Sequence, residues 1–98
     1  MDEARKAEHR GLYNKAFKCY LNAADYGDSI EAKHIVAEYY YDCYKGKENG
    51  VNVDHEYALG KAIEYYEAAA NEGFEKSQYR LYELFSFGDD VKEDGNEA

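Results

Sequence analysis

The sequence predicts an all-α fold of about five helices, arranged as antiparallel helix-turn-helix units that stack into a short solenoid. Three observations lead there. First, a stretch recurs: Lys15–Gly27, KAFKCYLNAADYG, lies over Lys61–Gly73, KAIEYYEAAANEG, without a gap. Ala16 pairs with Ala62, Tyr20 with Tyr66, Ala23 and Ala24 with Ala69 and Ala70, and Gly27 with Gly73, each 46 residues apart. An internal period of that size marks stacked supersecondary units. Second, the chain has no proline and is dominated by alanine, tyrosine, glutamate and lysine, so nothing interrupts helix. Third, glycines fall where the helical patterns stop, as they do at helix ends.

In order along the chain, Asp2–Arg10 reads as a short helix whose first turn is acidic, which suits the positive end of the helix dipole. Gly11 interrupts it. Leu12–Tyr26 forms the second helix, with Ala16, Cys19, Tyr20, Ala23, Ala24 and Gly27 on one stripe of period 3.6. Gly27 is expected to close that helix in the left-handed conformation that costs glycine little. Asp28 or Ser29 then caps a third helix, Ile30–Tyr44, with Ala32, Val36, Ala37, Tyr40 and Cys43 as its apolar stripe. Lys45–Val53 is polar, holds two glycines and makes the longest loop. Asp54 caps the fourth helix, which carries the second copy of the repeat and stops at Gly73. The fifth begins near Phe74 and uses Ser77, Leu81, Tyr82, Phe85 and Gly88 as its stripe. From Asp89 the chain is acidic and short of apolar residues.

The alanine pairs have a packing purpose. Two helices approach closely only where side chains at the crossing are small, so pairs 23/24 and 69/70 predict tight crossings with aromatic rings filling the wider gaps beside them. The twelve tyrosines suit that task, since each buries a ring and keeps a hydroxyl for a partner.

Composition narrows the function. A net charge of −9, from 12 basic and 21 acidic residues, excludes the basic stripe that a nucleic-acid phosphate backbone or an anionic membrane surface requires. No run approaches the length of a membrane span and the start lacks the pattern of a secretion signal. Two cysteines are too few for a disulfide framework, so a reduced, cytoplasmic setting is expected. Cys19, Cys43, His9, His34 and His55 show no metal spacing, and no phosphate loop or nucleophile elbow is present. The segment Asp90–Gly95 fails as a calcium loop because Lys92 stands where an oxygen ligand is required. No cofactor, no metal and no catalysis are expected.

The repeat resembles the Sel1-like family, relatives of the tetratricopeptide proteins. Its second helix carries the family's Lys-Ala-x-x-(Trp)-Tyr-x-x-Ala-Ala-x-x-Gly pattern, with Cys19 and Tyr65 at the usual tryptophan. Its first helix is matched by Ala32, Val36, Ala37 and Tyr40, and again by Ser77, Leu81, Phe85 and Gly88; the loops match at Gly50, Val51 and Asp54, and at Val91 and Asp94. The resemblance implies a right-handed α-solenoid over residues 1–88, with units at about 12–53 and 54–88, and residues 89–98 as a polar tail or the start of a further unit. Since Asp94–Ala98 would open another second helix, the pattern is expected either to continue in a longer array or to leave a helix-five surface (Leu81, Leu84, Phe85, Phe87) that a partner or a second copy covers.

Extended to function, the resemblance implies a scaffold that grips a protein or peptide along the concave face of its first helices. On this sequence that face comprises His34, Glu38, Tyr41 and Asp42 in one unit and Tyr79, Glu83, Ser86 and Phe87 in the next. Tyrosines among carboxylates suit a segment carrying Arg or Lys. The alternative is a small acidic inhibitor or decoy that occupies a cationic site on an enzyme or nucleic-acid-binding protein by charge. A homo-oligomer through the helix-five surface is the third expectation.

Overall fold

The computed structural model describes residues 2–47 and 49–87 and contains five helices: α1 Asp2–His9, α2 Tyr13–Asp25, α3 Ile30–Tyr44, α4 His55–Asn71 and α5 Glu75–Phe87. Gly88 and the acidic segment after it, including Val91, Asp94 and Ala98, lie outside the described residues. Each helix packs on its neighbours in the chain, most extensively α3 on α4. The result is a small all-helical solenoid.

Local chemistry sets the boundaries. Ser29 is the cap of α3: its backbone is extended and its Oγ accepts from the Ala32 N–H at 3.1 Å, satisfying one of the unpaired donors of the first turn. Asp54 does the same for α4, accepting from the Glu56 N–H. Leu12 stands at the N-cap of α2 and makes no side-chain cap.

The two copies of the repeat end differently despite their aligned glycines. After α4, Gly73 takes a φ of +93°, its N–H donates to the Ala70 carbonyl, and the Phe74 N–H reaches back to the Ala69 carbonyl at 3.1 Å. This is the glycine exit the sequence predicts. After α2, Gly27 is not left-handed. The positive φ falls on Asp28 instead, at +55°, and the Ser29 N–H closes a turn one residue longer onto the Ala23 carbonyl. The step from Gly27 to Ala32 is one residue longer than that from Gly73 to Ser77, and the extra residue is absorbed there; Asp is one of the few side chains that tolerates the conformation. Gly27 is still needed, because a Cβ at that position would lie 2.9 Å from the Ala23 carbonyl oxygen.

The predicted stripes form the core in α2, α3 and α4. Ala16, Tyr20, Ala24, Ala32, Val36, Ala37, Tyr40, Ala62, Tyr66 and Ala69 are buried, and Ala4 and Ala7 of α1 seal the other side of α2. Aromatic rings occupy the gaps beside the alanines: Phe17 stacks on Tyr39 at 5.5 Å and meets Tyr40 edge-on, while Tyr40 stacks on Tyr65 across to α4. Tyr39, absent from the predicted stripe, is buried because its ring packs between Phe17 and Tyr20 while its hydroxyl finds a carboxylate. In α5 the stripe is displaced. Ser77 is buried as predicted, but Leu84 takes the inner position, and Tyr82 and Phe85 are 59% and 49% exposed.

Cys19 and Cys43 are free thiols, both half-buried. Cys43 lies 3.4 Å from the Val51 carbonyl oxygen and so ties the end of α3 to the long loop.

Candidate functional site

The site is built from two helices that are not sequence neighbours. The long connection after α3 and the short turn after α4 bring α3 and α5 together, and between them opens a cleft of about 510 Å³. α3 contributes His34 and Glu38, one turn apart on one face; α5 contributes Glu75, Lys76, Tyr79, Arg80 and Glu83. The cleft therefore holds three carboxylates against two cations.

Glu38 is the hub. Its Oε2 accepts from the Tyr66 hydroxyl at 3.0 Å, from Arg80 Nη2 at 3.2 Å and Nε at 3.3 Å, and lies 3.3 Å from His34 Nε2. A carboxylate only accepts, so the contact with His34 places a proton on Nε2. In the neutral ring Nδ1 is then an acceptor, and the Ser77 hydroxyl, 2.7 Å away, donates to it. The ring is held between Tyr66 and Phe74, with centroids at 5.5 and 5.1 Å. Burial lowers the His34 pKa below the ordinary histidine value, outweighing the nearby Glu38 charge that acts the other way. Burial likewise raises the Tyr66 hydroxyl, and the Glu38 charge and hydrogen bond add to it. For Arg80 burial opposes the charged form, yet Glu38 more than offsets it and the guanidinium is held more firmly charged. The bonds to Glu38 make Arg80 the bridge between the two walls, and a further hydrogen bond, Nη1 to Glu83 at 3.1 Å, holds it on its own helix.

Ser77, His34 and Glu38 stand in a line that resembles a nucleophilic relay. The chemistry does not follow, because Ser77 has no exposed surface and its hydroxyl is spent on His34; attack requires an oxygen that a substrate can reach. The line is better suited to fixing α5 against α3. Among the described residues, no group of three or more His, Cys, Asp or Glu side chains is placed to hold a metal ion, and no helix is long and apolar enough to cross a membrane.

Of the eight residues predicted for the concave face, His34, Glu38, Tyr79 and Glu83 line the cleft together. Tyr79 is 64% exposed at its rim. Tyr41 lies next to it rather than in it, half-buried with the Lys45 ammonium and the Arg80 guanidinium each within 6 Å of its ring centroid. Asp42 is half-buried near the end of α3, 3.9 Å from Lys47, and burial raises its pKa despite that cation. Ser86 is exposed on the last turn of α5. The side chain of Phe87 lies outside the described residues.

Sequence reasoning missed Arg80, Lys76 and Glu75, and treated Ser77 only as a small packing residue. One signal for Arg80 was present, since it precedes Glu83 by three residues on a helix and the two were bound to pair. Nothing in the sequence placed Arg80 on Glu38, 42 residues away. No protein-family model, curated protein or solved structure matches the chain.

Proposed function

We propose that the protein is a non-catalytic interaction scaffold of the Sel1-like kind, gripping a protein or peptide segment with basic residues in the cleft between α3 and α5. The observation that carries this reading is the cleft itself: an open groove with an exposed tyrosine at its rim and a hydrogen-bonded floor of His34, Glu38 and Arg80. Tyr79 offers contact area with few rotamers to lose. Glu75 makes no ion pair among the described residues and is free to meet a cation. The floor is tied to itself and needs no reorganisation on binding, which favours affinity.

The test uses fluorescence anisotropy with labelled peptides that combine Arg or Lys with one aromatic residue. Tyr79→Ala combined with Glu75→Lys is expected to weaken the best-bound peptide by about tenfold or more, with helical content unchanged by circular dichroism. Equal binding by the double variant would sink the reading. The net charge of −9 favours a second reading, an acidic decoy for a cationic site. Salt separates the two: a decoy loses most of its affinity between low and moderate ionic strength, whereas a groove binder anchored on Tyr79 keeps most of it.

A further inference from the structure

Some charges of the α3–α5 cleft are satisfied within the fold and others are not. Arg80 is committed to Glu38 and Glu83, and Glu38 also holds Tyr66 and His34. Glu75, Lys76 and Tyr79 line the same cleft, yet among the described residues their side chains make no ion pair, hydrogen bond or ring contact. Glu75 and Lys76 have opposite charges but cannot answer each other, since consecutive helix residues point about 100° apart. Lys76 belongs to the inner side. Besides burial, the charges of Arg80 and Lys76 act to lower the His34 pKa, against that of Glu38, so the Lys76 ammonium is within reach of the α3 wall.

Glu75 and Tyr79 belong to the rim. They are one turn apart on α5, where side chains at i and i+4 are neighbours, so the carboxylate and the ring lie side by side. Elsewhere the chain completes this arrangement with a cation of its own. The Arg80 guanidinium lies 5.6 Å from the Tyr41 ring centroid while bonded to Glu38 and Glu83. The Lys61 ammonium lies 5.6 Å from the Tyr65 centroid while paired with Glu64 at 2.9 Å. At the rim the ring and the carboxylate are in place, but among the described residues no cation lies over Tyr79. Glu83, one turn beyond Tyr79, is already turned to Arg80.

From this charge pattern we infer that the cleft selects a peptide segment of the form Arg-x-Glu or Arg-x-Asp, with the guanidinium between Tyr79 and Glu75 and the carboxylate on Lys76. The inference rests on the cleft being the binding site proposed above, and it names the residues that the site reads. Arginine is preferred to lysine because the rim is wet: a strongly hydrated ammonium gains little from an exposed ring. A guanidinium is weakly hydrated and planar, so it stacks on the ring and also bonds the carboxylate through two N–H groups. The acid is required by Lys76, since a second basic residue there would bring like charges together. The spacing follows from an extended segment, in which residues i and i+2 emerge on the same side about 7 Å apart.

Nitrogen-15 NMR titration of the full chain tests this with three end-capped peptides that share one Gly-Ser frame and carry Arg-Gly-Glu, Lys-Gly-Glu or Arg-Gly-Gln at the centre. Arg-Gly-Glu is expected to bind about threefold or more tightly than either of the others, with shifts confined to α3 and α5. Two variants at exposed positions separate the contacts. Tyr79→Leu is expected to remove the preference for Arg over Lys and keep that for Glu over Gln; Lys76→Gln is expected to do the reverse. Equal affinities for the three peptides overturn the inference, as does either preference surviving the variant meant to remove it. In those cases shifts that stay in the cleft leave the scaffold reading standing. No binding by the three, while the aromatic peptides of the earlier test still bind the cleft, also overturns the inference alone. Shifts away from α3 and α5, or no binding by any of these peptides, remove both.

Discussion

Tyr20 and Tyr66 occupy the same position in the two copies of the repeat, both are buried, and both donate their hydroxyl to a glutamate on the preceding helix. What surrounds that glutamate differs. Glu8 accepts from two tyrosines, Tyr20 at 2.9 Å and Tyr39 at 2.6 Å. Its partners are neutral, and the cluster joins α1, α2 and α3. Glu38 accepts from Tyr66 and then from Arg80, with His34 beside it, at the floor of an open cleft. The same solution to a buried hydroxyl thus closes one unit and, with charged partners, builds a polar groove in the next. A repeat fixes the need for an acceptor; the third helix at each junction decides whether the acceptor's further partner is a neutral tyrosine or a charged arginine.

The contrast is broken most strongly at Glu8. Glu8→Ala leaves two buried hydroxyls without their acceptor, and each such group costs about 1–3 kcal/mol. Urea denaturation is expected to show a loss of about 2–4 kcal/mol. Glu38→Ala strands the fully buried Tyr66 hydroxyl and the partly buried His34 Nε2–H, while Arg80 keeps Glu83 and solvent; the expected loss is about 1–3 kcal/mol. If the two losses are equal, the two carboxylates are not different in kind.

The alanine crossings sharpen the same comparison. Ala69 has no exposed surface, so Ala69→Leu is expected to overpack the core at about 1–3 kcal/mol. Its counterpart Ala23 is only partly buried, and Ala23→Leu is expected to cost less than about 1 kcal/mol. Thermal melts of both variants check this. A loss at Ala23 matching that at Ala69 would place equally tight crossings in both copies.

The smallest effects come from pH, and the two clusters report at opposite ends of the scale. His34 has a lowered pKa in the folded chain, so above the ordinary histidine value near 6.5 it is neutral in both states and costs nothing. Below that value the unfolded chain takes up the proton first and stability falls as pH drops towards the folded pKa. His34→Gln is expected to flatten that limb. Tyr20 is pushed up to about 12, by burial first and then by its bond to Glu8. Its protonated form is favoured by folding, so the stability it contributes is complete below about pH 10 and is lost as pH rises towards 12. Tyr20→Phe is expected to weaken the alkaline limb and leave the acid limb unchanged. Urea midpoints measured across pH check both; an acid limb unaffected by His34→Gln would remove the histidine from the account.

How far the sequence could be read follows from the range of each interaction. Helix positions, the Ser29 or Asp28 choice of cap, and the alternation of small and aromatic residues depend on neighbours within a turn or two, and the stripes of α2, α3 and α4 were legible for that reason. The exit at Gly27 was misread because a one-residue insertion moved the left-handed position to Asp28, a difference the aligned glycines conceal. In α5 the stripe included Tyr82 and Phe85 because periodicity gives the faces of a helix without saying which of them is buried. His34, Glu38, Tyr79 and Glu83 were chosen by register within their helices. Arg80 was not, because its role depends on Glu38 lying across the cleft.

By itself, then, the sequence determined the all-helical fold, the repeat of 46 residues and the small-residue crossings, all of which follow from local propensity and period. Only the tertiary structure decided that Glu8 is shared by Tyr20 and Tyr39, that Glu38 is shared by Tyr66, His34 and Arg80, and that α3 and α5 enclose a cleft. The reason is physical. A buried hydroxyl demands an acceptor, but which carboxylate answers is set by helices that meet only after the chain has turned back on itself.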